Sequence, residues 1–199
     1  HYGGKTVIMN LIDLKAQIEN YIPYNEQEQQ DKEEILRHLS QSDSILTRDN
    51  RNAHITVAAW ITDKKRQQVL MAYHNIYHSW TWLGGHADGN PDLKEVVRKE
   101  IAEESGLNSV SFVSDNIFSL EILTVAGHEK NNKYVSSHLH LNLTYLLEAD
   151  TKHPIRIKAD ENSQIAWIDV NEISQKSNEK WFVERIYSKL CKKVEELQQ

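Results

Sequence analysis

The feature that most constrains this chain is residues 84–107, Gly-Gly-His-Ala-Asp-Gly-Asn-Pro-Asp-Leu-Lys-Glu-Val-Val-Arg-Lys-Glu-Ile-Ala-Glu-Glu-Ser-Gly-Leu. A glycine-rich loop leads into a helix. Asn90 suits a helix cap, Pro91 the first helical position, and Asp92 the positive end of the helix dipole. Gly106 suits a left-handed stop. At about 100° per residue, with Glu100 at zero, Leu93, Val96 and Val97 fall at roughly 20°, −40° and 60°. Glu103 and Glu104 fall at about −60° and 40°, so the apolar stripe turns acidic in its last turn. Like charges about 4 Å apart repel by roughly 4 kcal/mol at an effective dielectric near 20. Such a stripe needs a compensating cation, a raised pKa or solvent. All-oxygen donors favour a hard ion, Mg²⁺ or Mn²⁺. The plainer alternative is an ordinary acidic helix end, but three acids on the inward stripe after a Gly-Gly loop argue against it.

The surrounding pattern predicts a mixed sheet covered by helices, an α+β fold. Leu11, Leu14, Ile18, Tyr21 and Ile22 recur at helical spacing before Pro23, and a second helix follows with Ile35, Leu36 and Leu39 inward. Ile55, Val57, Ala59 and Ile61 alternate along a strand, and a polar turn at 63–67 makes a hairpin with 68–74. Further strand signals lie at 109–113, 117–126, 135–148 and 164–169. The last twenty or so residues predict an amphipathic helix with Phe182, Ile186, Leu190 and Val194 as its seam and Asn178 as its cap.

Composition closes off other classes. The 199 residues carry 23 Lys+Arg and 29 Asp+Glu, a net charge of −6, which argues against a broad nucleic-acid surface. Residues 84–107 alone hold 6 acids and 3 bases. No run reaches the roughly 18 apolar residues of a membrane span, and residues 1–9 lack the layout of a signal peptide. The single cysteine, Cys191, excludes an intrachain disulfide and fits a cytoplasmic setting.

Gly85 together with Lys99-Glu100-Ile101-Ala102-Glu103-Glu104-Ser105-Gly106-Leu107 resembles the Nudix box: Gly, five residues, Glu, seven residues, then Arg-Glu-aliphatic-x-Glu-Glu-x-Gly-aliphatic. The spacing is ungapped. Two positions depart, with Pro91 for the first Glu and Lys99 for the Arg; Asp88 or Asp92 could return an acid to Lys99. The likeness covers about residues 50–175. It implies a Nudix fold, an α/β/α sandwich around a mixed sheet, with a helical extension over 1–50 and the hydrolase domain over 51–199. It also implies divalent-metal-dependent hydrolysis of a phosphoanhydride bond in a nucleoside diphosphate linked to another moiety. Glu100, Glu103 and Glu104 would be the catalytic metal ligands, one of them or a nearby acid the base, with the Gly84 carbonyl and Glu161 as further ligands to Mg²⁺ or Mn²⁺.

For the substrate, His86 in the glycine loop and His138 and His140 on one strand are candidate contacts to phosphate or sugar. The alternative for the strand pair is a half-solvated face. Neither strand histidine reads as a zinc ligand, because no cysteine or HExxH partner accompanies them. His54 reads as structural. Trp82, like Trp80, is a stacking candidate or a core anchor, with the anchor favoured; Tyr73, Tyr77 and Tyr134 are unsorted aromatics. Loops at 75–81 and 127–134 are expected to read the base. The partner implied is a small nucleoside diphosphate derivative, with no nucleic acid and no membrane; a homodimer stays open. The alternative function is a catalytically silent nucleotide- or ADP-ribose-binding regulator, against which the three intact glutamates argue. An isoprenoid diphosphate isomerase would need a cysteine in the cleft, and RNA decapping would need a basic patch.

Overall fold

The computed structural model describes residues 10–197; the stretch read above as lacking a signal-peptide layout, residues 1–9, lies outside them. Helix α1 (Leu11–Asn20) opens with a capping box in which Asn10 and Asp13 each accept the other's backbone N–H, at 2.9 and 3.1 Å. Helix α2 (Glu26–Gln41) is capped by Asn25. Leu14, Ile18, Ile35 and Leu39 are buried as the periodicity requires, whereas Ile22 lies past the end of α1 and is 85% exposed.

Eight strands form one mixed sheet. Its order is β10 (Asn162–Asp169), β2 (Gln68–His74), β1 (Ala53–Thr62), β9 (His138–Ala149) and β5 (Val110–Phe112), with β3 (Ser79–Thr81) on β2, β4 (Leu83–His86) on β1 and β6 (Ser119–Val125) on β9. Among the described residues only the central β1–β9 pair is parallel, in register from Ala53–Leu139 to Thr62–Glu148. The β1–β2 hairpin pairs at Thr62–Val69; beyond it β4 takes the β1 edge and β3 the β2 edge. The sheet thus splits, and the Gly84–His86 backbone is seated inside it. The expected base-reading loop at 127–134 is largely a separate hairpin, β7 (His128–Lys130) with β8 (Lys133–Val135), and 75–81 ends in β3.

Two cores sit on the two faces of this sheet. Ile55, Val57, Ala59 and Ile61 of β1 and Leu141, Leu143, Tyr145 and Leu147 of β9 pack with α1, α2 and α3 (Leu93–Ser105). Trp60 and Leu146 point the other way, onto Ile173 of α4 (Ile173–Lys176) and onto Ile186, Tyr187, Leu190 and Val194. Those last four lie on a continuous helical stretch of α5 (Lys180–Phe182), a π-helical turn (Val183–Tyr187) and α6 (Ser188–Leu197). The N-terminal helices therefore share the core of the sheet. Asn178 does not cap the C-terminal helix: its amide donates to the His78 carbonyl instead, at 2.7 Å.

A buried polar network ties the two helical layers together around the β6 edge. Asp31 of α2 accepts the Ile122 N–H, 3.1 Å away, and so covers the edge of the sheet. Glu28, fully buried, meets Lys189 of α6 at 2.8 Å and the Tyr21 hydroxyl at 2.5 Å. Lys189 also lies 3.5 Å from Glu121, which accepts from Ser119, Asn142 and Thr144. Burial pushes the Glu28 carboxyl up, but Lys189, Lys193 and Tyr21 outweigh it and hold it below the usual range. Removing one member of such a set strands a buried charge, which costs about 3–5 kcal/mol. Lys189→Met is expected to lose about that much stability in urea unfolding, and pairing it with Glu28→Gln should recover part of the loss.

Candidate active site

Helix α3 begins two residues later than expected. Asp92, not Asn90, is the cap: it accepts the Glu95 N–H, and Asn90 in turn accepts the Asp92 N–H at 2.9 Å. Pro91 therefore precedes the helix rather than opening it. At the far end Gly106 adopts φ 76°, the left-handed stop, and donates to the Ala102 carbonyl at 2.9 Å. Leu93, Val96, Val97 and Ile101 are buried, and the same stripe continues into buried Glu104.

The helix lies hard against β4. The Gly84 N–H donates to the Glu104 carboxylate across 3.2 Å. A Cβ on Gly84 would overlap the Val57 carbonyl of β1, and a Cβ on Gly85 would overlap the Glu100 carboxylate. These two positions are glycine because backbone meets backbone at one and carboxylate at the other. Burial, then Glu103 and Glu161, push the Glu100 carboxyl up to about 7. Burial, then Glu161 and Glu100, push Glu104 well above the carboxylate range. Glu161 reaches the same place from the turn before β10 and is held by Lys158 at 2.8 Å. Glu103 is more open and sits 3.8 Å from Lys99. Neither aspartate supports Lys99: Asp88 forms a two-pronged pair with Arg48 at 2.9 and 3.0 Å, and Asp92 is spent on the cap. The expected return of an acid to Lys99 by either aspartate is therefore corrected.

Above β4 opens a cleft of about 400 Å³, lined by Gly84, Gly85, Glu104 and Glu161 at its acidic end. A second cleft of about 530 Å³ adjoins it and carries Arg48, Arg51, Lys130 and Lys133. His74, Tyr77, His86 and His140 line both. Tyr77 is 48% exposed, with its ring 4.5 Å from that of His74. Trp82 also lines the first cleft, but its ring is held edge-on by Phe182 and Tyr187 at 5.9 and 5.7 Å, an anchored position. Phe182, Glu179 and Tyr187 reach the cleft from the C-terminal stretch. No local pattern marks these three, because only the packing of that stretch on the sheet brings them there.

The face of β9 that carries the strand histidines is half-buried at His138 and His140 and buried at Asn142 and Thr144. A ring nitrogen from each of His54, His138 and His140 lies within 4.8 Å of the others, a grouping that local sequence did not show. His86 closes on the same group, its ring 5.2 Å from His54 and 5.0 Å from His140. Burial, with smaller contributions from neighbouring cationic and imidazole groups, holds His86 down to about 3 and His140 to about 2. The missed signal was the parallel register, which sets His54 beside His140. Cys191 stays out of the cleft, and burial followed by Glu195 pushes its thiol up to about 11.

A family model described as a NUDIX domain matches residues 52–190. The chain belongs to the Nudix family. Among solved structures, an Ap4A hydrolase of C. elegans in a binary complex aligns with TM-score 0.52 at 15% identity, over 72% of this chain and 96% of that one. The NUDIX domain of Shewanella oneidensis NrtR, complexed with ADP ribose, aligns with TM-score 0.51 at 14% identity, over 82% and 97%. The MutT protein of Methanosarcina mazei Go1 gives 0.50 at 16%, over 75% and 99%. At these identities the likeness is one of fold, the mixed-sheet α+β Nudix fold with helices at the N-terminus. No curated protein matches. No helix among the described residues is long and apolar enough to cross a membrane.

Because the Glu100 carboxyl is raised in the folded chain, the fold binds more protons than the unfolded chain between its ordinary value of 4.5 and about 7. Stability without divalent ions therefore falls as pH rises through that window. Thermal unfolding in chelator is expected to show this fall, and Glu100→Gln to flatten it. Gly84→Ala should cost about 1–3 kcal/mol through its backbone clash. Gly85→Ala should leave stability nearer the parent and instead alter the same pH dependence, since it displaces the Glu100 carboxylate.

Proposed function

We propose that the chain hydrolyses a phosphoanhydride bond in a nucleoside diphosphate linked to another moiety, with Mg²⁺ or Mn²⁺ as its cofactor. The observation that carries this reading is the meeting of Glu100, Glu104 and Glu161 at the end of a cleft that continues into a basic one, where burial and neighbouring carboxylates raise Glu100 and Glu104. The carboxylate oxygens of this group suit a hard divalent ion, and the Gly84 carbonyl and Glu103 complete the proposed ligand set. When bound, such an ion supplies neutralisation of the diphosphate oxygens and acidification of water.

The chain's own residues do the rest. Gly84 fixes one Glu104 oxygen through its N–H, so the carboxylate presents the other in a set direction. Lys158 restrains Glu161 at the cleft mouth. Water attacks phosphorus, an O–P bond forms and the anhydride P–O bond breaks. The proton lost by the water passes to a carboxylate, with Glu100, Glu103 and Glu104 as the catalytic candidates. Arg51, Lys130 and Lys133 of the adjoining cleft would hold the distal phosphate or sugar, and His86 and His140 line the passage between. Tyr77, half-exposed over that passage, is the better stacking candidate; Trp82 shapes the wall.

A panel of nucleoside diphosphate derivatives, including ADP-ribose and dinucleoside polyphosphates, assayed for phosphate release with Mg²⁺ or Mn²⁺, tests this. At least one is expected to turn over, with kcat down by about 100-fold or more in Glu104→Gln. Tight binding of a panel member with bound metal and no turnover would favour a silent nucleotide-binding regulator.

A further inference from the structure

We propose that His54, His138 and His140 form a second metal site, distinct from the carboxylate group, that takes a transition ion of the Zn²⁺ type.

The first support is the hydrogen bonding of the rings. His54 Nδ1 faces the Asn50 carbonyl at 3.0 Å, and His138 Nδ1 faces the Ser136 carbonyl at 2.8 Å. A carbonyl only accepts, so each Nδ1 carries the proton. In the neutral ring that leaves a bare lone pair on Nε2. Backbone carbonyls orient metal-binding imidazoles in this way, setting the tautomer and leaving the other nitrogen to the ion.

The second support is an orphan. His54 is 4% exposed, and its Nε2 is buried with no hydrogen-bond partner. A buried polar atom left bare costs about 1–3 kcal/mol, and natural folds rarely keep one without a use. The bare nitrogen belongs to a ring whose centroid lies 4.8 Å from that of His138 and 5.1 Å from that of His140.

The third support is spacing. His138 Nε2 and His140 Nε2 are 3.2 Å apart. Two nitrogens on a tetrahedral ion at 2.0–2.1 Å stand about 3.3 Å apart. One nitrogen from each of the three rings already falls within 4.8 Å of the others, so small side-chain rotations close the set. Three imidazoles without an oxygen donor among them select Zn²⁺ and its neighbours over Mg²⁺. Sheet geometry keeps them together: His138 and His140 share a face of β9, and the parallel register places His54 directly beside His140.

Charge is compatible. Arg48, the nearby guanidinium, is already neutralised by Asp88. Lys130 and Lys133 on the same cleft would favour an anion at the fourth vertex. A three-histidine ion with one open position is the arrangement that can take an exogenous oxygen ligand.

The test uses the full chain carrying Glu100→Gln and Glu104→Gln, so that the carboxylate group no longer competes, and Co²⁺ as the probe. One equivalent is expected to bind, with the strong visible absorption of four-coordinate Co²⁺, and Zn²⁺ is expected to displace it. His138→Gln and His140→Gln, added singly, should each weaken binding by about 100-fold or more while circular dichroism stays that of the parent. No binding, the faint colour of six-coordinate Co²⁺, or binding unchanged by both histidine variants would overturn the proposal. The readout is metal binding alone, so it stands or falls independently of the hydrolase reading.

Discussion

Everything at the candidate site depends on how closely α3 approaches the Gly84–Gly85 backbone. The approach is allowed because Gly85 has no Cβ to meet the Glu100 carboxylate, while Gly84, whose Cβ would meet the Val57 carbonyl, lets β4 sit close on β1. It brings the last turn of an otherwise apolar stripe under β4, so that Glu104 is desolvated yet holds a backbone N–H. Desolvation and the neighbouring carboxylates then raise Glu100 and Glu104. That stored repulsion is what a divalent cation would relieve, and under the proposed function it is how a carboxylate cluster in a protein of net charge −6 would serve an anionic substrate.

The scaffold keeps this contact by enclosing the sheet. One face is covered by α1, α2 and α3, the other by α4 and the C-terminal stretch, and the β6 edge is closed by α2 through Asp31. The Glu28–Lys189–Glu121 network fastens the layers at that edge. Because α2 and the C-terminal stretch are joined there, the N-terminal helices belong to the same body as the sheet. The C-terminal stretch in turn delivers Phe182 and Tyr187 to the cleft wall. The split between the β1 and β2 edges leaves the sheet open where the acidic and basic clefts meet.

Much of this was readable from short-range pattern. The Gly-Gly loop, the acidic turn of α3 and the Gly106 stop lie within one segment, and the helix repeat alone puts Glu100, Glu103 and Glu104 on one stripe. Local chemistry was harder where residues compete for one role. Asn90, Pro91 and Asp92 can each open a helix, and the choice of Asp92 follows from Asn90 being engaged in a turn to the Asp92 N–H. Lys99 was left without the proposed aspartate because Asp88 found Arg48, a residue forty positions away. Asn178 likewise found the His78 carbonyl rather than its own helix.

The sequence by itself determined the α+β class, the family and the acidic stripe, because each rests on periodicities of 3.6 and 2 and on fixed spacing within one element. Tertiary structure alone decided which of those acids are desolvated, that Trp82 is held in an aromatic cluster, and that His54 joins His138 and His140. The histidine group depends on strands 80 or more residues apart being placed in register, and the other two outcomes on the packing of helices against the sheet, none of which is marked in the side-chain order.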